Sequence, residues 1–225
     1  DPATWQIRKE FVNAEGKPAW GLEFNAKPAF TFVLDTDPGT PMPDGATLNE
    51  NNRLQSTIVI DREDEQAGYA KSFGAIHYEH PGTYLYALAE KTPDAADRIP
   101  GVSYSDAAYR VVVTVSDDKA GKLVADVRLR KLADDAGVPQ GDNDAGVPVE
   151  PQNGVHTALF KNVFALNEVQ IGPLATKVLN GRGFSADGSG AGEFTFRMRP
   201  AGDHAADAPM PEGTAGDGAS RYIEV

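Results

Sequence analysis

Short runs rich in Val, Phe, Tyr and Thr, each closed off by glycine or proline, recur along the whole of this chain. The 23 glycines and 16 prolines are spread throughout. No segment between them holds an apolar period near 3.6 for more than a turn or two. Such punctuation leaves strands and turns as the available elements. WQIRKEF (5–11), AFTFVL (29–34), STIVID (56–61), FGAIHYE (73–79), TYLYALAE (83–90), YRVVVTVS (109–116), LVADVRLRKL (123–132) and TALFKNVFAL (157–166) read as strands. Seven or eight short strands with turns between them predict an all-β, immunoglobulin-like antiparallel sandwich. DEQAGYAKS (64–72) has room for one helical turn. The acidic stretch 133–154, in which DAGVP occurs twice, reads as a long, solvated and mobile loop. It lacks the regular ligand spacing of a calcium loop.

An internal repeat sets the domain organisation. AKPAFTFVL (26–34) resembles GAGEFTFRM (190–198), PMPDG (41–45) recurs as PMPEG (209–213), and IRKEFVNAEGK (7–17) is echoed by ATKVLNGRGFS (175–185). The offsets agree: 168 from Lys9 to Lys177, 164 from Phe30 to Phe194, 168 from Pro41 to Pro209. A complete domain is therefore expected over 1–168, and the N-terminal part of a second, homologous sandwich over 171–225. A few strands without partners expose edges and an apolar face. The second copy is thus expected to be held by the first domain, by a neighbouring chain, or by a remainder supplied separately.

Composition removes several function classes. With 21 Lys plus Arg against 33 Asp plus Glu, the formal net charge is -12. That balance argues against nucleic acid, whose phosphates need a basic footprint, and against anionic lipid. No apolar stretch approaches the ~18 residues of a spanning helix, so no membrane insertion is expected. The start, DPATWQIRKE, carries no secretory signal, and any leader is expected to have been removed. Cysteine is absent. Disulfides, thiolate metal sites and a cysteine nucleophile are thereby excluded. An exported module without cysteine needs some other staple or a sufficient core.

Strand alternation then exposes an anomaly. Ile7, Lys9 and Phe11 share a face; so do Tyr84, Tyr86, Leu88 and Glu90, and so do Phe160, Asn162 and Phe164. Three polar residues sit in line with aromatic and aliphatic neighbours, on a first, a middle and a last strand. Lys177 sits likewise between Ala175 and Leu179. One such residue alone is ordinarily solvated or caps a strand end. All three together suit a self-crosslinking reaction, in which a lysine amine attacks an asparagine carboxamide and expels ammonia. Burial lowers a lysine pKa and supplies the neutral amine. Burial also keeps a glutamic acid protonated, able to donate to the asparagine carbonyl oxygen and to shuttle protons. Aromatic walls exclude competing water, and the fold sets amine beside carbonyl.

Other constellations are weaker. In HYEH (77–80) the two histidines lie three apart, on opposite faces of a strand, which does not suit joint metal binding. His156 and His204 have no companions, so no metal and no cofactor is expected. There is no Gly-x-Ser-x-Gly elbow, and SADGSGAG (185–192) is followed by no phosphate-binding lysine. Trp5 and Trp20 read as core residues; an exposed Trp20 would instead suit an adhesive contact.

The chain resembles the isopeptide-linkage domain of Gram-positive pilin shaft proteins, related to the collagen-adhesin B-type sandwich modules. The resemblance rests on IRKEF, AFTFVL, PMPDG, FGAIHYEHPGTYLYALAE, GVSYSDAAYRVVVTV and ALFKNVF, and covers nearly all of 1–168. It implies a bond between a first-strand lysine and the last-strand asparagine, assisted by the glutamate that ends the GTYLYALAE stretch. Carried over, these are Lys9, Asn162 and Glu90. Lys17 and Lys27 lie in the same region; alternation and the echo at Lys177 favour Lys9. Lys177, a candidate crosslink lysine of the second copy, has no glutamate or asparagine segment to complete a bond within this chain. The resemblance implies a structural module of a cell-wall-anchored extracellular fibre, not an enzyme with turnover. Its partners would be neighbouring pilin subunits or domains, with sortase as the joining enzyme. No sorting signal and no clear polymerisation lysine are read in the chain. The other reading is an adhesin domain that binds a host matrix protein or glycan through its loops.

Overall fold

The structure, a computed structural model, describes residues 5–142, 145–166 and 194–224. Two units are distinguished, residues 1–167 and 168–225, and each is described by itself.

The first unit contains β1 (Trp5–Asn13), β2 (Ala29–Thr36), β3 (Thr47–Leu48), β4 (Leu54–Asp61), β5 (Ala70–Lys71), β6 (Gly82–Lys91), β7 (Val102–Ser103), β8 (Ala108–Asp117), β9 (Leu123–Ala133), β10 (Val147–Val149) and β11 (His156–Phe164). They form a seven-stranded sheet in the order β10-β9-β8-β6-β2-β4-β3 and a four-stranded sheet in the order β5-β1-β11-β7. Alternation built both. In β1, Trp5, Ile7, Lys9 and Phe11 are buried while Arg8 is exposed; in β8, Tyr109, Val111, Val113 and Val115 are buried. The inward faces meet across the sandwich. Phe32 of β2 lies 5.0 Å from Phe160 of β11, and Phe11 of β1 lies 5.2 Å from Phe30 of β2, ring centre to ring centre. The first unit thus forms the all-β sandwich the sequence predicts for it.

Every pairing within the two sheets is antiparallel except one. β1 and β11, the terminal strands, run parallel, with Lys9 opposite Phe160 and Phe11 opposite Asn162. Alternation carries no information about strand direction, so this pairing was not to be read from pattern.

Two expectations need correction. FGAIHYE forms no strand. Gly74 adopts φ +100, outside the range of a pleated strand. The segment packs as irregular chain, with Phe73 buried against Trp5 at 5.9 Å and Tyr78 near Tyr84 at 4.8 Å. The 133–154 stretch is not simply a solvated loop. It supplies β10, which pairs with β9, and its Asp134 carboxylate accepts the backbone N–H groups of Ala136 and Val138 at 3.0 Å each. The expected helical turn is present as a 3-10 segment, Arg62–Ala67. It is capped by Asp61, whose carboxylate accepts the Glu63 N–H at 2.8 Å, while Asp64 accepts the Asp61 N–H at 3.0 Å.

In the second unit, β12 (Arg197–Met198) pairs with β13 (Ile223–Glu224). The Arg197 guanidinium pairs with the Glu224 carboxylate and lies 4.5 Å over the Tyr222 ring. Arg221 donates to the carbonyls of Ala206 at 2.7 Å and Ala208 at 2.8 Å. Lys177 and the segments 175–185 and 185–192 lie outside the described residues.

Candidate crosslinking site

The three polar residues singled out by alternation meet between the sheets. β1 carries Lys9, and β11, in register beside it, carries Asn162 two residues further along on the same inward face. β6, in the opposite sheet, carries Glu90, paired with Phe32 of β2. Lys9 is 1%, Asn162 0% and Glu90 7% exposed. The Lys9 amine hydrogen-bonds to Glu90 Oε2, and Asn162 Nδ2 donates to Glu90 Oε1 at 2.6 Å. One carboxyl group therefore stands between the two nitrogens, one oxygen on each. The walls are aromatic: the Lys9 amine lies 4.7 Å from the Phe30 ring centre and 5.8 Å from that of Phe32. Among the described residues no buried side-chain nitrogen or oxygen lacks a hydrogen-bond partner.

The other two first-strand-region lysines lie elsewhere. Lys17 is exposed and pairs with Glu15 at 3.0 Å, and Lys27 is exposed.

Burial governs the protonation of the pair. Removal from water pushes the Lys9 amine down from 10.5 to about 8, although the Glu90 carboxyl pulls it back up. The same burial pushes the Glu90 carboxyl above the usual carboxylate range, opposed by the Lys9 amine and the Asn162 carboxamide. Both shifts favour an uncharged amine beside an un-ionised acid.

The carboxamide is oriented differently from the sequence expectation. Its oxygen does not face Glu90. Asn162 Oδ1 accepts the backbone N–H of Ser105 at 2.7 Å. A backbone N–H can only donate, so the oxygen must face Ser105 and the nitrogen must face Glu90. Ser105 is itself buried, and its hydroxyl donates to Asp135 Oδ1 at 2.6 Å. That same oxygen accepts the backbone N–H of Lys161 at 2.8 Å. The sequence reading missed both Ser105 and Asp135. Each lies in a connection, Ser105 between β7 and β8 and Asp135 after β9, where no alternation marks a face. The nearest available signal was the recurrence of acidic residues in 133–154.

Aromatic packing holds the surroundings. Trp20 is buried, stacked 4.3 Å from Tyr69 and edge-on to Phe11 at 5.6 Å and to Phe30 at 5.4 Å, so it is a core residue rather than an exposed contact. The Tyr109 hydroxyl donates to the Leu159 carbonyl at 2.6 Å and accepts the Leu159 N–H at 3.1 Å, which occupies the open edge of β11 near the site. Among the described residues no group of three or more His, Cys, Asp or Glu could hold a metal ion. Nor is any helix among them long and apolar enough to cross a membrane.

A family model described as FctA, a Spy0128-like isopeptide containing domain, matches residues 6–164. Among solved structures, the chain is similar to an asparagine-to-alanine mutant of the major pilin from Streptococcus pyogenes, with 21% identity over 71% of this chain and 49% of that one and a TM-score of 0.37. It is similar to the T-13 major pilin of S. pyogenes, with 17% identity over 71% and 51% and a TM-score of 0.38, and to the T3.2 major pilin, with 17% identity over 72% and 52% and the same score. The chain spans about half the length of these solved chains. No curated protein sequence matches.

Proposed function

This chain belongs to the family of Spy0128-like isopeptide-containing domains, and on that premise we propose that it is a structural module of an extracellular pilus fibre, stiffened by a bond it forms once between Lys9 and Asn162. The observation that carries this reading is the placement of the Glu90 carboxyl, in a dry aromatic interior, with the Lys9 amine on one oxygen and the Asn162 carboxamide nitrogen on the other. The neutral amine attacks the Asn162 carbonyl carbon. Glu90 takes a proton from the incoming nitrogen and delivers one to the departing nitrogen, and ammonia leaves. The product is an amide between the first and last strands. The event happens once per chain, without turnover.

The bond closes a loop of roughly 150 residues, which on the chain-entropy model is worth about 5 kcal/mol before strain. Its mechanical effect is larger. Pull arriving on β1 and leaving from β11 passes through the covalent tie instead of through the hydrogen-bond ladders. A stalk without cysteine thereby gains a staple that reductants cannot cut. Within this reading, residues 171–225 are the N-terminal part of a second sandwich, supported by EFTF and PMPEG, which echo AFTF and PMPDG of the first copy. The partners are neighbouring pilin subunits joined by a sortase on the cell wall. The intact mass of the purified chain tests the proposal. It should fall one ammonia below the sequence mass, and a full-mass chain overturns the reading.

The adhesin reading has one observation on its side, a cleft of about 520 Å³ lined by Trp20, Leu22, Phe24, Lys27, Arg62 and Glu63. Saturable binding of a matrix protein or glycan, lost in Leu22→Arg, would favour it.

A further inference from the structure

We propose that the backbone N–H of Ser105 is the oxyanion donor of the crosslinking step and that Asp135 is the positioning residue that aims it. This rests on the Lys9–Asn162 reading above. As the Lys9 nitrogen bonds to the Asn162 carbonyl carbon, the carbonyl electron pair moves onto Oδ1. The carboxamide nitrogen becomes tetrahedral and basic, able to take a proton from Glu90 where in the planar amide it only donates. The amine proton passes to the other Glu90 oxygen. The pair on Oδ1 then reforms the carbonyl, the bond to Nδ2 breaks and ammonia departs. Atoms and charge balance without any co-reactant.

Through this sequence both oxygens of Glu90 are engaged with nitrogens. The negative charge that grows on Oδ1 needs a donor from elsewhere, and the donor in place is Ser105 N–H at 2.7 Å. A preorganised donor at the atom where charge develops stabilises the transition state more than the ground state.

The donor's aim depends on Asp135. Its Oδ1 accepts from the Ser105 hydroxyl at 2.6 Å and from the Lys161 N–H at 2.8 Å, the residue immediately before Asn162. One oxygen thus ties the segment that carries the donor to the strand that carries the reacting carbonyl. The Asp135 backbone carbonyl accepts the Asp106 N–H at 3.1 Å, and the Ser105 hydroxyl accepts the Ala107 N–H at 3.2 Å, so the turn is pinned immediately after the donor. Capping of the β11 edge alone would require only the bond to Lys161.

The test follows bond formation in the full chain during a pulse of cell-free synthesis, quenched at intervals in acidic denaturant and read by intact mass. Asp135→Ala should slow ammonia loss by about tenfold to a hundredfold, the scale of a misaimed group that is still present. Asp135→Asn keeps an oxygen for both hydrogen bonds and should recover most of the wild-type rate. Ser105→Ala keeps the backbone N–H but loses the tie, and should be slowed. In the unlinked Lys9→Ala background, the Ser105 amide proton resonance should move upfield when Asp135→Ala is added and stay when Asp135→Asn is added. Were Asp135→Ala to fail to fold, the Ser105→Ala and Asp135→Asn rates decide. Wild-type rates in every variant, equal slowing by Asp135→Asn and Asp135→Ala, or an unmoved Ser105 proton would each overturn the proposal. A wild-type chain at full mass would instead overturn the crosslink on which it rests.

Discussion

Two lysine- or arginine-to-carboxylate pairings in this sandwich use nearly the same chemistry and have opposite consequences. On the surface, Arg53 clamps Asp35 and Asp37, with 38% of the arginine side chain and 81% of Asp37 exposed. Between the sheets, Lys9 meets Glu90 with both side chains at 0%. Water and salt screen the first, and such pairs contribute little. Solvent does not reach the second, where both side chains are fully buried, so each charge costs more than its partner returns, and the pair drifts toward neutrality. Arginine keeps its proton in either setting, whereas burial makes a lysine far readier to give its proton up. Burial therefore turns a lysine–glutamate contact from a weak stabiliser into a pair pushed toward an uncharged amine and an un-ionised acid, the state the proposed crosslink requires. In the proposed reaction the carboxamide beside it would be the electrophile.

The comparison is broken most completely by removing a bonding partner. Lys9→Ala and Asn162→Ala should both restore the full sequence mass and lower the melting temperature by roughly 10 to 20 °C, the effect of losing a ~150-residue loop closure in a domain this size. Calorimetry beside intact mass checks both at once. Next in size is Glu90→Gln, which keeps the shape of the site and one of its two acceptor oxygens but cannot shuttle a proton. It should give a folded chain that stays at full mass for days.

The pH dependence of an unlinked chain comes third. In the native chain burial pushes the Lys9 amine down from 10.5 to about 8, and Asn162→Ala, which leaves that amine unbonded, should keep it lowered. Over that interval the unfolded chain binds the extra proton, so this group's contribution is present at high pH and is lost as pH falls through about 8. Relative to a chain that also carries Lys9→Met, urea stability should rise from pH 8 toward 10, with a slope of at most about 1.4 kcal/mol per pH unit. A flat difference would mean that Lys9 keeps an ordinary pKa. The smallest effect belongs to the surface. Arg53→Ala should change stability by less than about 1 kcal/mol and leave the mass deficit untouched.

Pattern made the strands legible wherever alternation met a dry face. β1, β2, β6, β8 and β11 were visible because buried and exposed positions differ residue by residue. Lys9, Glu90 and Asn162 stood out for the same reason, as polar side chains on positions that the pattern assigns to the interior. FGAIHYE misled because its composition suits a strand while one glycine at positive φ breaks the pleat. Ser105 and Asp135 were illegible because their part in the site comes from tertiary contacts between connections, one of them through a main-chain N–H that any residue but proline would present.

The parallel run of β1 and β11 has a geometric consequence for any fibre made of such modules. A chain that arrives at the start of one strand and departs from the end of a neighbour pointing the same way crosses the module from pole to pole. Copies joined in series would all point in one direction, giving the thread a head and a tail. Were the proposed bond between positions 9 and 162 in place, only the stubs Trp5–Lys9 and Asn162–Phe164 would lie along the thread. Everything between them would be slack that tension never draws out.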